Sequence, residues 1–116
     1  MMKNLFGTAV FALAAVFFTP ASALAMSFDD ISGKWCGETT AYYIGRNSID
    51  VTFFSNNSRV RYMIDNFEYT DTEITINWFS KDDRVFTKFG EFSSDKQKMV
   101  QLQNTAGPRR EFRRCS

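Results

Sequence analysis

The sequence predicts an all-β fold, an antiparallel up-and-down meander of seven or eight short strands closing into a small barrel. Three observations carry that expectation. Between Trp35 and Cys115 apolar and polar residues alternate with period two, and turn-forming clusters punctuate the alternation at near-regular spacing. The only two cysteines, Cys36 and Cys115, lie in the first and last predicted strands. An open meander leaves two edges exposed to other chains, whereas pairing the first strand with the last removes both. A Cys36–Cys115 bond needs Cα atoms within about 7 Å, which favours the closed barrel over a two-sheet sandwich.

The chain begins with a predicted secretory signal at residues 1–25. Lys3 supplies a charged start, Leu5 to Phe18 an apolar run, and Ala23-Leu24-Ala25 an A-x-A cleavage site. The run is too short for a comfortable membrane span, so no span is expected after cleavage. Residues 26–32 form a lead-in, in which Phe28-Asp29-Asp30-Ile31 suits one helical turn, and residues 33–116 form a single domain. Export, to the periplasm or outside the cell, places the cysteines in an oxidising compartment, where two cysteines allow one intramolecular connectivity. A small domain buries a modest fraction of its surface and gains from such a cross-link.

The first strand is read from Trp35 to Tyr42, the second from Ile49 to Phe53 after Gly45-Arg46-Asn47-Ser48, and the third from Arg59 to Asp65 after Ser55-Asn56-Asn57-Ser58. Glu73 to Trp78 is the cleanest strand, with Ile74, Ile76 and Trp78 inward. In Val85 to Phe92 the spacing of Phe86, Phe89 and Phe92 departs from alternation, and a bulge near Gly90 reconciles it. Met99 to Gln103 is a weaker strand, and Arg109 to Cys115 is the last. The predicted core is Trp35, Ile49, Val51, Phe53, Tyr62, Ile74, Ile76, Trp78 and Phe89.

Lys3 is one of fourteen basic residues, so its removal leaves thirteen against thirteen acidic ones. A balanced charge in an exported chain argues against nucleic acid as a partner. The chain has no histidine, which excludes histidine-based triads, Cys–His dyads and imidazole metal sites together. With both cysteines bonded no nucleophile stands out. Asp29-Asp30 and Asp82-Asp83 are adjacent pairs in turn-like segments and are read as solvated. No catalytic residue, metal or cofactor is expected, and the domain is read as a monomeric, non-enzymatic binding module.

Gly33-Lys34-Trp35 on the first strand, together with Arg113 and Arg114 on the last, resembles the lipocalin and wider calycin pattern, in which a G-x-W tryptophan at the closed end of a barrel is covered by an arginine from near the C-terminus. The resemblance implies a barrel, a structural role for Gly33, Trp35 and one of Arg113 and Arg114, and a mouth for a small apolar or amphipathic ligand. Fifteen aromatic residues after the signal can line such a mouth, although a barrel of eight short strands is just wide enough for side chains to fill it, and a filled interior is the expectation. The alternative function is a periplasmic interaction or inhibitor-type barrel that engages another exported protein through loops and strand ends. Arg59, Arg61, Arg109 and Arg110 are the candidate ligand or partner contacts, although strand alternation sends neighbouring arginines to opposite faces.

Overall fold

In the computed structural model, which describes residues 24–104 and 108–116, one helical turn precedes eight antiparallel strands. They are α1 (Phe28–Ile31), β1 (Gly33–Cys36), β2 (Thr40–Ile44), β3 (Ser48–Phe53), β4 (Ser58–Tyr69), β5 (Ile74–Ser80), β6 (Asp83–Gly90), β7 (Lys98–Asn104) and β8 (Arg110–Arg114). Each strand pairs with the next and β8 returns to β1, so the sheet is a closed up-and-down barrel. The predicted signal lies, as far as residue 23, outside the described residues. Among those described, no helix is long and apolar enough to cross a membrane.

Three details correct the sequence reading. The expected first strand, Trp35 to Tyr42, is a hairpin: the Gly37 N–H donates to the Thr40 carbonyl at 2.8 Å, and β1 ends at Cys36. Glycine is required there because a Cβ would stand 2.7 Å from the Phe112 ring. Through this turn Trp35 pairs with Tyr42, which puts on one face two residues that uninterrupted alternation separates. Second, β4 runs on to Tyr69, past the expected end at Asp65. Asp65 is an extra residue where the register slips between Ile64 and Asn66, so Ile64 pairs with Trp78 and Phe67 with Ile76. Third, the bulge expected near Gly90 sits on the facing strand. Lys88 pairs with Gln103 and Phe89 with Gln101, which leaves Leu102 over. Gly90 makes room for it, since a Cβ there would lie 2.7 Å from Leu102 Cδ1.

Of the predicted core, Trp35, Ile49, Val51, Ile74, Ile76 and Phe89 are buried, while Phe53, Tyr62 and Trp78 are half-buried against them. Met26, Ile31, Ile44, Met99 and Phe112 complete the interior. Two of these come from the lead-in, which folds under one end of the barrel as a plug. The Met26 N–H donates to the Thr70 carbonyl at 2.8 Å, the Ser27 N–H donates to Asp30 Oδ2 at 2.8 Å to start α1, and Phe28 packs edge-on against Phe67 with centroids 5.4 Å apart. Ile31 is completely buried.

The seam is narrow, with only Trp35–Arg114 and Cys36–Arg113 paired across it. A Cys36–Cys115 disulfide, with Cα atoms 5.8 Å apart, joins its two sides. Arg114 lies over the indole of Trp35, its Cζ 4.3 Å from the ring centroid, and donates to the carbonyls of Ser32, Asp30 (2.9 Å) and Lys96 (3.2 Å). The indole N–H donates to the Ile31 carbonyl at 2.8 Å. Gly33, at φ +102°, adopts a conformation open to glycine, and a Cβ there would come within 3.2 Å of the Arg114 guanidinium.

Two stability measurements follow from this closure. Replacing both cysteines with serine should lower unfolding free energy by up to about 4 kcal/mol in the chain-entropy model for a loop of this length, read as a lower denaturant midpoint. Arg114→Ala should cost about 2–3 kcal/mol, because stacking and charged hydrogen bonds to part-buried carbonyls are lost together. Arg113→Ala, at an exposed position, should stay within about 0.5 kcal/mol of the parent. Equal losses at the two arginines in denaturant titrations would contradict this assignment.

Candidate functional site

The plug, Trp35 and Arg114 fill one end of the barrel, and the interior opens at the other. Strand direction puts the β1–β2, β3–β4 and β5–β6 turns around that open end, together with the start of β8. Between them is a cup of about 190 Å³, walled mainly by Ile49, Val51, Phe53, Ile76, Trp78 and Phe89. The cup exists because β-branched and aromatic residues alternate inward along β3, β5 and β6 while the overhanging half of β4 leaves Tyr62 at the rim beside Trp78, ring centroids 4.6 Å apart.

Five polar residues line the same cup: Thr40, Tyr42, Thr87, Gln101 and Arg110. Two pairs are hydrogen-bonded to each other. The Tyr42 hydroxyl donates to Gln101 Oε1 at 2.6 Å, and the Trp78 indole N–H donates to the Thr87 hydroxyl at 3.0 Å. Tyr42 also stacks on Phe112, centroids 4.7 Å apart, so the phenol stands in an apolar wall. Burial pushes its pKa up to about 12, with the positive charge of nearby Arg110 opposing the rise.

The other two polar groups are not so matched. Thr40 is buried, and its hydroxyl has no hydrogen-bond partner among the described residues. Arg110 is half-buried, and its Nη1 donates to the hydroxyl of Thr39 at 3.2 Å. It pairs with no carboxylate among the described residues, unlike Arg59, Arg61 and Arg109. Arg61 donates to Asp50 at 2.8 Å and Arg59 approaches the same carboxylate at 3.7 Å, both on the outer face of β4. The Arg61 hydrogen bond holds the Asp50 carboxyl below its usual range. Arg109 is bound to Glu91 at 2.6 Å. The four candidate contact arginines are therefore dispersed, and Arg110 is the one that reaches the cup.

A wider open groove of about 1000 Å³ runs outside β8, between the β1–β2 turn and the β6–β7 connection. Its walls mix Glu38, Glu91 and Glu111 with Lys98, Arg109 and Arg113, and it meets the cup at Thr40 and Arg110. The groove is ordinary charged surface with no dominant sign, whereas the cup is smaller and mainly apolar with a small polar set, the usual composition of a small-molecule site.

The sequence singles out Arg110, Ile49, Val51, Phe53, Tyr62, Ile76, Trp78 and Phe89 among the lining residues. It misses Thr40, Tyr42, Thr87 and Gln101. The signal for Gln101 is a polar residue at an inward position of a weak strand, and for Thr40 and Tyr42 it is hidden by the unread turn at Gly37.

The Tyr42 phenol supplies a test of this geometry. Its folded pKa lies above the unfolded value near 10, so its contribution to stability is complete below pH 10 and is lost as pH rises through about 12. The loss amounts to about 2–3 kcal/mol. Alkaline unfolding curves should show Tyr42→Phe losing less stability than the parent between pH 10 and 12, and identical curves would remove the phenol from the buried wall. No family model matches this chain, nor does any curated protein or solved structure with which it was compared.

Proposed function

We propose that this protein is an exported, non-enzymatic binding domain whose barrel mouth holds a small apolar or amphipathic molecule. The observation that carries the reading is the cup itself: aromatic and β-branched walls, open to solvent at one end, opposite a plugged and covalently fastened end. Drug-sized ligands occupy pockets of roughly 300 Å³ or more. A cup of about 190 Å³ instead suits a single ring or a short aliphatic chain, a size at which an apolar cavity of about 150 Å³ accommodates benzene. Export is supported by the charged, apolar and A-x-A segments of the leader and by the disulfide.

Recognition of another protein through an outer face has less support. The exposed Tyr43, Met63 and Phe79 stand on outer faces, and the sheet register sets them beside Asp50, Ser48 and Arg84 respectively, so the apolar groups do not pair into one patch.

Titration with toluene provides the test. Trp78 lines the cup and Trp35 is sealed at the other end, so toluene should quench or shift the emission of one tryptophan only. Saturation is expected with Kd on the order of 0.1–1 mM for so few atoms. Val51→Trp, which fills the cup, should abolish binding while thermal unfolding remains cooperative. No saturable response in the parent, or an undiminished one in the filled variant, would overturn the reading.

A further inference from the structure

We propose that the ligand of the cup is a small monocarboxylic acid, a single-ring or short-chain carboxylate whose apolar part enters the barrel while its carboxylate is held by the Arg110 guanidinium and the Thr40 hydroxyl. This rests on the cup being a ligand site and adds the chemical class of the ligand.

Two independent observations point to an anion. Among the described residues Arg110 is the only charged one lining the cup; it is half-buried and has no carboxylate partner among them. Its one side-chain hydrogen bond among the described residues, from Nη1 to Thr39, is to a neutral hydroxyl. A guanidinium offers five N–H donors in a planar fork suited to two carboxylate oxygens, and an apolar wall strengthens the attraction by lowering the local dielectric. The second observation is the Thr40 hydroxyl, buried in the same wall with no partner. A buried donor left unused is costly, and an acceptor arriving with the ligand removes that cost.

The remaining polar groups narrow the class. The Tyr42 hydroxyl is committed to Gln101 and the Trp78 N–H to Thr87, so neither is free to solvate a second charge. One guanidinium and one hydroxyl match a monoanion better than a phosphate dianion, which needs more donors. Strand geometry places the pair correctly. Arg110 stands opposite Gln101 at the start of β8, and Thr40 begins β2 just across the β1–β2 turn, so both meet at the junction of cup and outer groove. A carboxylate there keeps one side toward water while its ring or chain reaches Ile76 and Trp78.

The test compares 4-methylbenzoate with 4-methylbenzamide, near-isosteres that differ in charge, by Trp78 emission and calorimetry on the disulfide-bonded protein at pH 7. The acid should bind at least about tenfold more tightly than the amide, as expected for a charge-assisted pair. Arg110→Gln should erase that preference, lowering acid affinity by a larger factor than amide affinity, while thermal unfolding remains cooperative. Thr40→Val should weaken acid binding severalfold and amide binding less, and Arg110→Lys should restore part of the preference. Equal binding of acid and amide in the parent overturns the acid assignment and leaves the apolar cup intact, as does an Arg110→Gln variant that weakens both equally. Binding of neither compound, with no response to toluene, overturns the acid and the cup together.

Discussion

The barrel depends on a closure that its sheet makes only weakly. Seven of the eight strand interfaces are ladders of four to seven residue pairs, but β1 and β8 share two. Two pairs are a poor defence against fraying, and every other strand relies on that seam for the absence of an edge. What holds it acts at a single level of the fold. The disulfide joins Cys36 to Cys115, Arg114 spans the gap from above Trp35 to three carbonyls on two different segments, and the Trp35 N–H anchors the end of α1. Covalent, stacking and hydrogen-bonding contributions coincide where the ladder is thinnest. They also fix the lead-in, because three of the four carbonyls that Arg114 and Trp35 use belong to Asp30, Ile31 and Ser32.

That coincidence explains which parts of the structure can be read from the sequence. The meander and the terminal bridge follow from alternation and cysteine placement, since they express the local two-residue period and a chain-wide distance limit. The G-x-W tripeptide and the C-terminal arginines are visible as residues, but the choice between Arg113 and Arg114 depends on register, which only the paired strands determine. The details that escape are those where one residue changes the phase. Gly37 turns the chain inside an unbroken alternation, Asp65 inserts one residue into β4, and Leu102 inserts one into β7. Each leaves the local composition strand-like while reversing which side chains point inward. The plug escapes for another reason: the burial of Met26 and Ile31 comes from tertiary contact and not from any period within their own seven residues.

The same phase changes build the cup. Had β1 run through Gly37, Tyr42 would face away from Trp35, and the wall formed by Tyr42 on Phe112 and Gln101 would not exist. Interior volume is then apportioned along the axis. Bulky residues and the plug crowd the closed end, where Trp35, Ile31, Ile44, Ile74 and Met99 are essentially inaccessible. Toward the mouth the aromatic residues Phe53, Tyr62 and Trp78 are only half-buried, since no lead-in folds over them. The sequence expectation of a filled interior therefore holds for one half of the barrel and not for the other.

The last strand shows how a period of two divides a run of like charges into separate roles. Arg110, Phe112 and Arg114 share the inward phase of β8, while Arg109, Glu111 and Arg113 take the outward one. Outward, Arg109 is neutralised by Glu91 and Arg113 is solvated. Inward, two guanidinium groups stand on one face, and like charges so placed repel unless something separates them. Phe112 does so: its buried ring lies between them against Tyr42 and Gly37, and strand direction sets Arg114 at the plugged end and Arg110 at the mouth. Arg114 spends its donors on backbone carbonyls and an indole face, which makes it part of the frame. Arg110, two steps of the alternation away, has among the described residues one hydrogen bond to a neutral hydroxyl and lies beside a Thr40 hydroxyl that has no partner among them. A single strand thus supplies both the clasp that shuts one end of the barrel and the charge that faces whatever enters the other.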